Sequence, residues 1–145
     1  MSIRGRRTVV ACSFVALVLV GCDGLWLDTY WRNDRYVLVA VDARGQMHLA
    51  FDLGKGTSLG LVGPTVFAIG ADEKHIVLKQ HPSSDSFGAS ADRSTTRYFI
   101  VTKTTSPEFE QRQKGVRGPL TQKEFEALTT ALSLPPFKKT FADLE

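Results

Sequence analysis

Cysteine is scarce in this chain. Of 145 residues only two are cysteine, Cys12 and Cys22, and both fall in the first two dozen positions. The stretch from residue 35 onward therefore offers no disulfide, no thiol nucleophile and no thiolate for a metal. Histidine is nearly as rare, with His48, His75 and His81. Long apolar runs are missing too. The longest mostly apolar stretch, Thr8–Val20, covers 13 residues, whereas a membrane-spanning helix needs about 20. No solenoid-type repeat is present. Neither sign of charge dominates strongly: 18 Lys and Arg face 15 Asp and Glu, a formal net charge of +3.

What is present begins at the N-terminus. Arg4, Arg6 and Arg7 precede the apolar stretch, with no acid among them. A basic flank followed by a short apolar run reads as a secretory leader. The run ends Leu19-Val20-Gly21-Cys22, followed by Asp23. This resembles the lipobox of bacterial lipoproteins: an aliphatic residue, two small or modest ones, then a thiol. The resemblance implies cleavage between Gly21 and Cys22, a thioether from Cys22 to diacylglycerol, and acylation of the new N-terminus. Each buried CH₂ adds roughly 0.8 kcal/mol, and two or more chains anchor stably. Asp23 directly after the lipidated cysteine implies retention in the inner membrane, facing the periplasm.

Processing at that point removes three of the 18 basic residues and no acid, so the remainder balances the 15 Asp and Glu. A basic footprint for nucleic acid is then lost. The expected organisation is a leader over 1–21, an anchor and tether over 22–34, and a single globular domain over 35–145. That length supports a core without staples.

Within the lead-in, Trp26, Tyr30 and Trp31 are expected to pack on the domain core or to begin its first strand. Arg35–Ala43 is rich in β-branched residues and Gln46–Leu53 alternates, with Met47, Leu49, Phe51 and Leu53 on one side. These predict a hairpin with one buried face. Gly54–Pro64 reads as a glycine-punctuated loop. Thr65–Gly70 and His75–His81 flank "ADEK" as a second hairpin, His81–Ser94 is a polar loop, and Thr96–Lys103 is a further strand. Thr104–Pro119 reads as a connection. A helix follows: Thr121 and Glu124 form a capping box, Leu120 and Phe125 a hydrophobic staple, and Phe125, Leu128 and Leu132 an apolar stripe. Leu134 before Pro135 ends it. The fold class is α+β, a small antiparallel sheet of hairpins packed against a C-terminal helix.

The segments "VFAIGADEKHIVLKQHP", "RYFIVTK" and "GPLTQKEFEALTTALSLP" resemble a family of small, uncharacterised bacterial lipoproteins, a domain of unknown function. The resemblance runs over much of residues 36–136. It implies an anchored α+β domain and carries no activity with it.

Candidate chemistry is sparse. "GKGTSLG" (54–60) lacks the Lys-Ser/Thr pair and the following helix of a phosphate loop, so it reads as a turn between strands. His75 and His81, six apart on one strand, would lie about 20 Å from each other and cannot share a metal ion; no cofactor or metal is expected. Ser83, Ser84 or Ser86 with Asp85 and His81 could make a nucleophile set, but nothing resembles a nucleophile elbow. Glu108 and Glu110 share one side of an extended segment without a cleft. Arg112–Gly118 concentrates three basic residues in a solvated loop. The expected function is a non-enzymatic binding module anchored through Cys22, an immunity or inhibitor protein or an envelope assembly factor. The alternatives are an envelope hydrolase and a passive envelope component. Palmitate labelling of cells expressing the chain is expected to mark the wild type and not Cys22→Ala; equal labelling of both would remove the lipid anchor.

Overall fold

The computed structural model describes residues 27–85, 88–106 and 108–145. Cys22, Gly21, Asp23 and Trp26 therefore lie outside the described residues. The rest forms two antiparallel sheets and a few short helices. The first sheet is a meander, β1 (Leu27–Asn33), β2 (Tyr36–Val41), β3 (His48–Gly54) and β4 (Thr57–Val62), hydrogen-bonded in that order. The second contains β5 (Val66–Ala71), β6 (His75–Gln80), β7 (Arg97–Thr102), β8 (Val116–Leu120) and β9 (Lys139–Thr140), ordered β8-β7-β6-β5-β9. Helix α1 (Phe109–Lys114) precedes β8 and α2 (Gln122–Leu132) follows it.

Turn chemistry sets the first sheet. Asp34 takes a left-handed conformation (φ 54°) in the two-residue turn that pairs Asn33 with Tyr36. Lys55 and Gly56 both have positive φ, 55° and 75°, and Gly54 pairs with Thr57. Two consecutive positive φ values match the right-handed twist of the flanking strands, as tight hairpins require. The expected loop over Gly54–Pro64 is thus corrected: its glycines make the turn, and its Leu59, Leu61 and Val62 continue as β4. The lead-in is also used, since Leu27–Asn33 pairs with β2 along its length. Tyr30 and Trp31 pack against the core.

The expected single sheet is likewise corrected. Tyr36, Leu38 and Ala40 of β2 and Leu49 and Phe51 of β3 face Phe67, Ile69, Ile76, Leu78 and Val101 of the second sheet in one cluster. The opposite side of the second sheet is buried as well. Val77, Tyr98 and Ile100 lie under Phe125 of α2 and Leu134. Consecutive Ile76, Val77 and Leu78 are all fully buried, as a strand covered on both faces demands. The architecture is sheet, sheet, helix, with most of the apolar burial between the sheets.

The α2 expectations match the described residues. Thr121 Oγ1 accepts from the Glu124 amide, and Glu124 Oε2 accepts from the Thr121 amide at 2.8 Å. Leu120 and Phe125 share the outer cluster. The stripe weakens toward its end, where Leu132 is exposed. Ser133, at φ 52°, closes the helix in a left-handed cap.

Residues 137–144 complete the core, a role the sequence pattern did not reveal. β9 pairs with Ala68 and Ile69, and Phe141 and Leu144 are buried in the inter-sheet cluster. Phe141 meets Tyr30 edge-on at 6.2 Å. The Lys139 ammonium donates to the Tyr30 carbonyl at 2.6 Å, and Arg44 pairs with Asp143 at 2.8 Å. The returning chain passes so close to β5 that a Cβ at Gly70 would run into the Pro136 carbonyl. At Gly60 a Cβ would meet nothing within 4 Å. Gly70→Ala is therefore expected to cost about 1–3 kcal/mol and Gly60→Ala little, as read by urea unfolding. Equal effects would remove the close approach as the cause.

Candidate functional site

A pocket of about 360 Å³ opens at one end of the sandwich, lined by Asp34, Arg35, Tyr36, Phe51, Glu73 and the 103–105 segment. Three connections meet there: the β1–β2 turn, the β5–β6 turn and the chain leaving β7. Lys103 ties them together. Its ammonium donates to Asn33 Oδ1 at 2.6 Å, Asp34 Oδ2 at 2.8 Å and the Asp72 carbonyl at 3.4 Å. The Lys103 amide donates to the Lys74 carbonyl, and the Thr104 amide to the Tyr36 hydroxyl. The clamp joins the two sheets at the pocket rim.

The β5–β6 turn has its own anchor. Asp72 Oδ1 accepts from the Lys74 amide at 2.7 Å and the His75 amide at 2.6 Å. Those amides, that of His75 foremost, hold its carboxyl below the usual carboxylate range. Asp52, on the first sheet, is lowered chiefly by Arg32 and by the Gly54 amide.

Phe51 forms the apolar lining, set edge-on to Tyr36 at 5.1 Å. Two guanidinium groups lie on its ring. The Cζ of Arg112 is 3.6 Å from the ring centroid and that of Arg35 is 4.8 Å. Arg35 Nε donates to the Asp52 carbonyl at 2.9 Å. Arg112 comes from α1, which is held to the first sheet where Gln113 donates to the Gly60 carbonyl. Arg112 is only 3% exposed, and its Nε is buried without a hydrogen-bond partner. Among the described residues neither Arg35 nor Arg112 is ion-paired to a carboxylate. Taking such an ion out of water costs several kcal/mol even after relaxation. A cation–π contact returns about 0.5–2 kcal/mol. The stack on Phe51 thus offsets only part of the desolvation.

The structure separates the other candidates. His48 Nδ1 lies 2.9 Å from the Gln46 carbonyl, and His75 opens β6. His81, expected at the head of a polar loop, is 2% exposed and stacked on Phe67 at 4.2 Å. Its Nδ1 lies 2.8 Å from the Thr95 carbonyl, and its Nε2 is buried without a partner. Asp85 does not orient it. The Asp85 carboxylate accepts from the Ala89 and Ser90 amides, and Ser83 Oγ accepts from the Asp85 amide. Ser86 lies outside the described residues. Glu108 stands at the N-cap position of α1 without a side-chain cap hydrogen bond and Glu110 sits in its first turn, so the expected extended pair is corrected. The expected solvated loop over Arg112–Gly118 is corrected too: Arg112 belongs to α1 and is buried, while Arg117 is exposed on β8. Among the described residues no group of three His, Cys, Asp or Glu could hold a metal ion, and no helix is long and apolar enough to cross a membrane.

The Arg35–Phe51–Arg112 arrangement was missed from sequence. Phe51 was legible as a core position, but nothing around Arg112 in "EQRQKG" marks it as buried.

Residues 31–142 match the model of a family described as "Protein of unknown function (DUF3997)", and the chain belongs to that family. No curated protein and no solved structure matches the chain.

The lowered pKa of Asp72 has a direct consequence. A folded-state value below the unfolded one stabilises the fold above about pH 4, and that contribution fades as pH falls through the folded value. Asp72→Asn is expected to flatten the loss of stability between about pH 5 and pH 2, measured by urea unfolding at stepped pH. An unchanged slope would assign the acid sensitivity to other carboxylates.

Proposed function

We propose that this protein is a membrane-anchored, non-enzymatic binding module of the cell envelope. In this reading Cys22 carries the lipid after cleavage behind Gly21, and Asp23 keeps the molecule at the periplasmic face of the inner membrane. The observation that supports a binding role is the pocket walled by Phe51 and Tyr36, with the Arg35 guanidinium stacked on the Phe51 ring at its lining. Pockets of this kind, apolar with a few placed polar groups, are the usual form of a ligand site.

The anchor and the pocket would sit at opposite ends of β1. The strand starts at Leu27, five positions after Cys22, so the lipid could lie no farther than about 18 Å from it. The pocket rim begins past Asn33, at the far end of a seven-residue strand, roughly 20 Å away at strand rise. A partner arriving there could be an envelope assembly component or a secreted toxin that the protein neutralises. Tethering raises the effective concentration of the module toward either.

The test is capture on the full chain purified in detergent. Envelope and secreted-protein extracts are passed over the immobilised wild type and over Arg35→Glu, and the retained protein is identified by mass spectrometry. A stoichiometric partner held by the wild type and lost by Arg35→Glu is expected. Retention no greater than on a blank column would remove the binding reading.

A further inference from the structure

We infer that α1 is a strap that lifts off the sandwich while the two sheets stay closed, and that Arg112 sets how readily it lifts. The inference is independent of the binding reading: it concerns the motion of α1, whether or not a ligand makes use of it.

Four observations converge. Arg112 is the one buried residue of α1, and its Nε has no hydrogen-bond partner. Phe109, the large apolar side chain of the helix, is 48% exposed, so little of the docking rests on it. Glu108 supplies no side-chain cap bond, and an isolated helix shorter than about 12 residues is marginal in water. The polar tie from α1 to the first sheet is Gln113, whose Nε2 donates to the Gly60 carbonyl at 3.2 Å. The chain on either side of α1 is fastened more firmly. The Thr104 amide donates to the Tyr36 hydroxyl at 3.0 Å, and the Gly115 carbonyl accepts from the Thr102 amide at 2.9 Å.

The energetics follow from those groups. Docking α1 takes a guanidinium out of water and gives it an aromatic ring in exchange, with the Arg112 Cζ 3.6 Å from the Phe51 centroid. Burying an ion costs more than a cation–π contact returns, and lifting the helix restores water to the charge. The docked state therefore holds by a narrow margin, and α1 opens at far less cost than the whole fold. Opening bares the Phe51 ring that Arg112 now covers, with Leu59 beside it as its neighbour on β4. Phe51 also lines the pocket, so the lifted state widens the pocket toward β4.

The experiment is amide hydrogen exchange on the full chain in detergent micelles, followed residue by residue. The amides of Arg112, Gln113, Lys114 and Gly115 report on α1, and those of Ile100 and Val101 on the core strand β7. Protection in α1 is expected to lie at least about 100-fold below that in β7, as for a local opening. Arg112→Met keeps the reach of the side chain and removes its charge, so it should raise α1 protection about tenfold. A plain structural anchor would respond in the opposite direction. Gln113→Ala removes the tie to Gly60 and should lower α1 protection severalfold while β7 protection stays nearly unchanged, and it decides the matter if Arg112→Met fails to fold. Equal protection of α1 and β7 in the wild type would overturn the inference, as would a parallel fall of both in Gln113→Ala. Protection in Arg112→Met that is unchanged or lower would overturn the role given to Arg112.

Discussion

The second sheet has two apolar faces, and the architecture is the solution to that constraint. Ile76 and Leu78 point one way, Val77 the other, and all three are fully buried. One face is satisfied by the β1–β4 meander and the other by α2 with Leu134. Each covering layer needs its own connection, and those connections produce the features of the pocket end. The chain leaving β7 must cross the open end of the sandwich to reach α1 and β8. In doing so it carries Lys103 against Asp34 and Arg112 against Phe51. The pocket is a by-product of routing around two layers, and Lys103 stands in its lining because the route passes there.

Much of this was legible from the residues alone, and the failures have physical causes. β2, β3, β5, β6 and β7 announce themselves by β-branched and aromatic content, and α2 by a capping box that the side chains form as read. β4 was obscured by its glycines, because a run that contains Gly60 resembles a loop until its partner strand supplies the ladder. β8 carries Gly118 and Pro119, which read as breakers, yet it sits at the edge of its sheet, where a missing N–H is tolerated. β9 is two residues long and exists only because β5 offers a free edge. The α+β class survives, but a sequence pattern cannot count sheets: alternation specifies that a strand has a buried face, not which layer covers it.

The site was less legible than the fold. Phe51 alternates correctly and belongs to the core face, and Arg35 follows a turn residue. Their meeting with Arg112 joins positions more than fifty apart, through α1 docking on the first sheet. Local pattern favours solvent for an arginine flanked by two glutamines, and only tertiary placement buries it. His81 shows the same effect in reverse chemistry. It opens a Ser- and Asp-rich stretch, yet stacking on Phe67 draws it inside.

The order in which the core is assembled along the chain has a further effect. Phe141 and Leu144 fill the space between the sheets that residues 36–101 enclose, and β9 covers the edge of β5. Residues 27–120 therefore leave an open seam until the 137–144 segment arrives. The last contacts to close span about a hundred positions, from Lys139 to Tyr30 and from Asp143 to Arg44. Such non-local closure slows folding. A chain emerging from its N-terminus would hold that seam open until the 137–144 segment reached it.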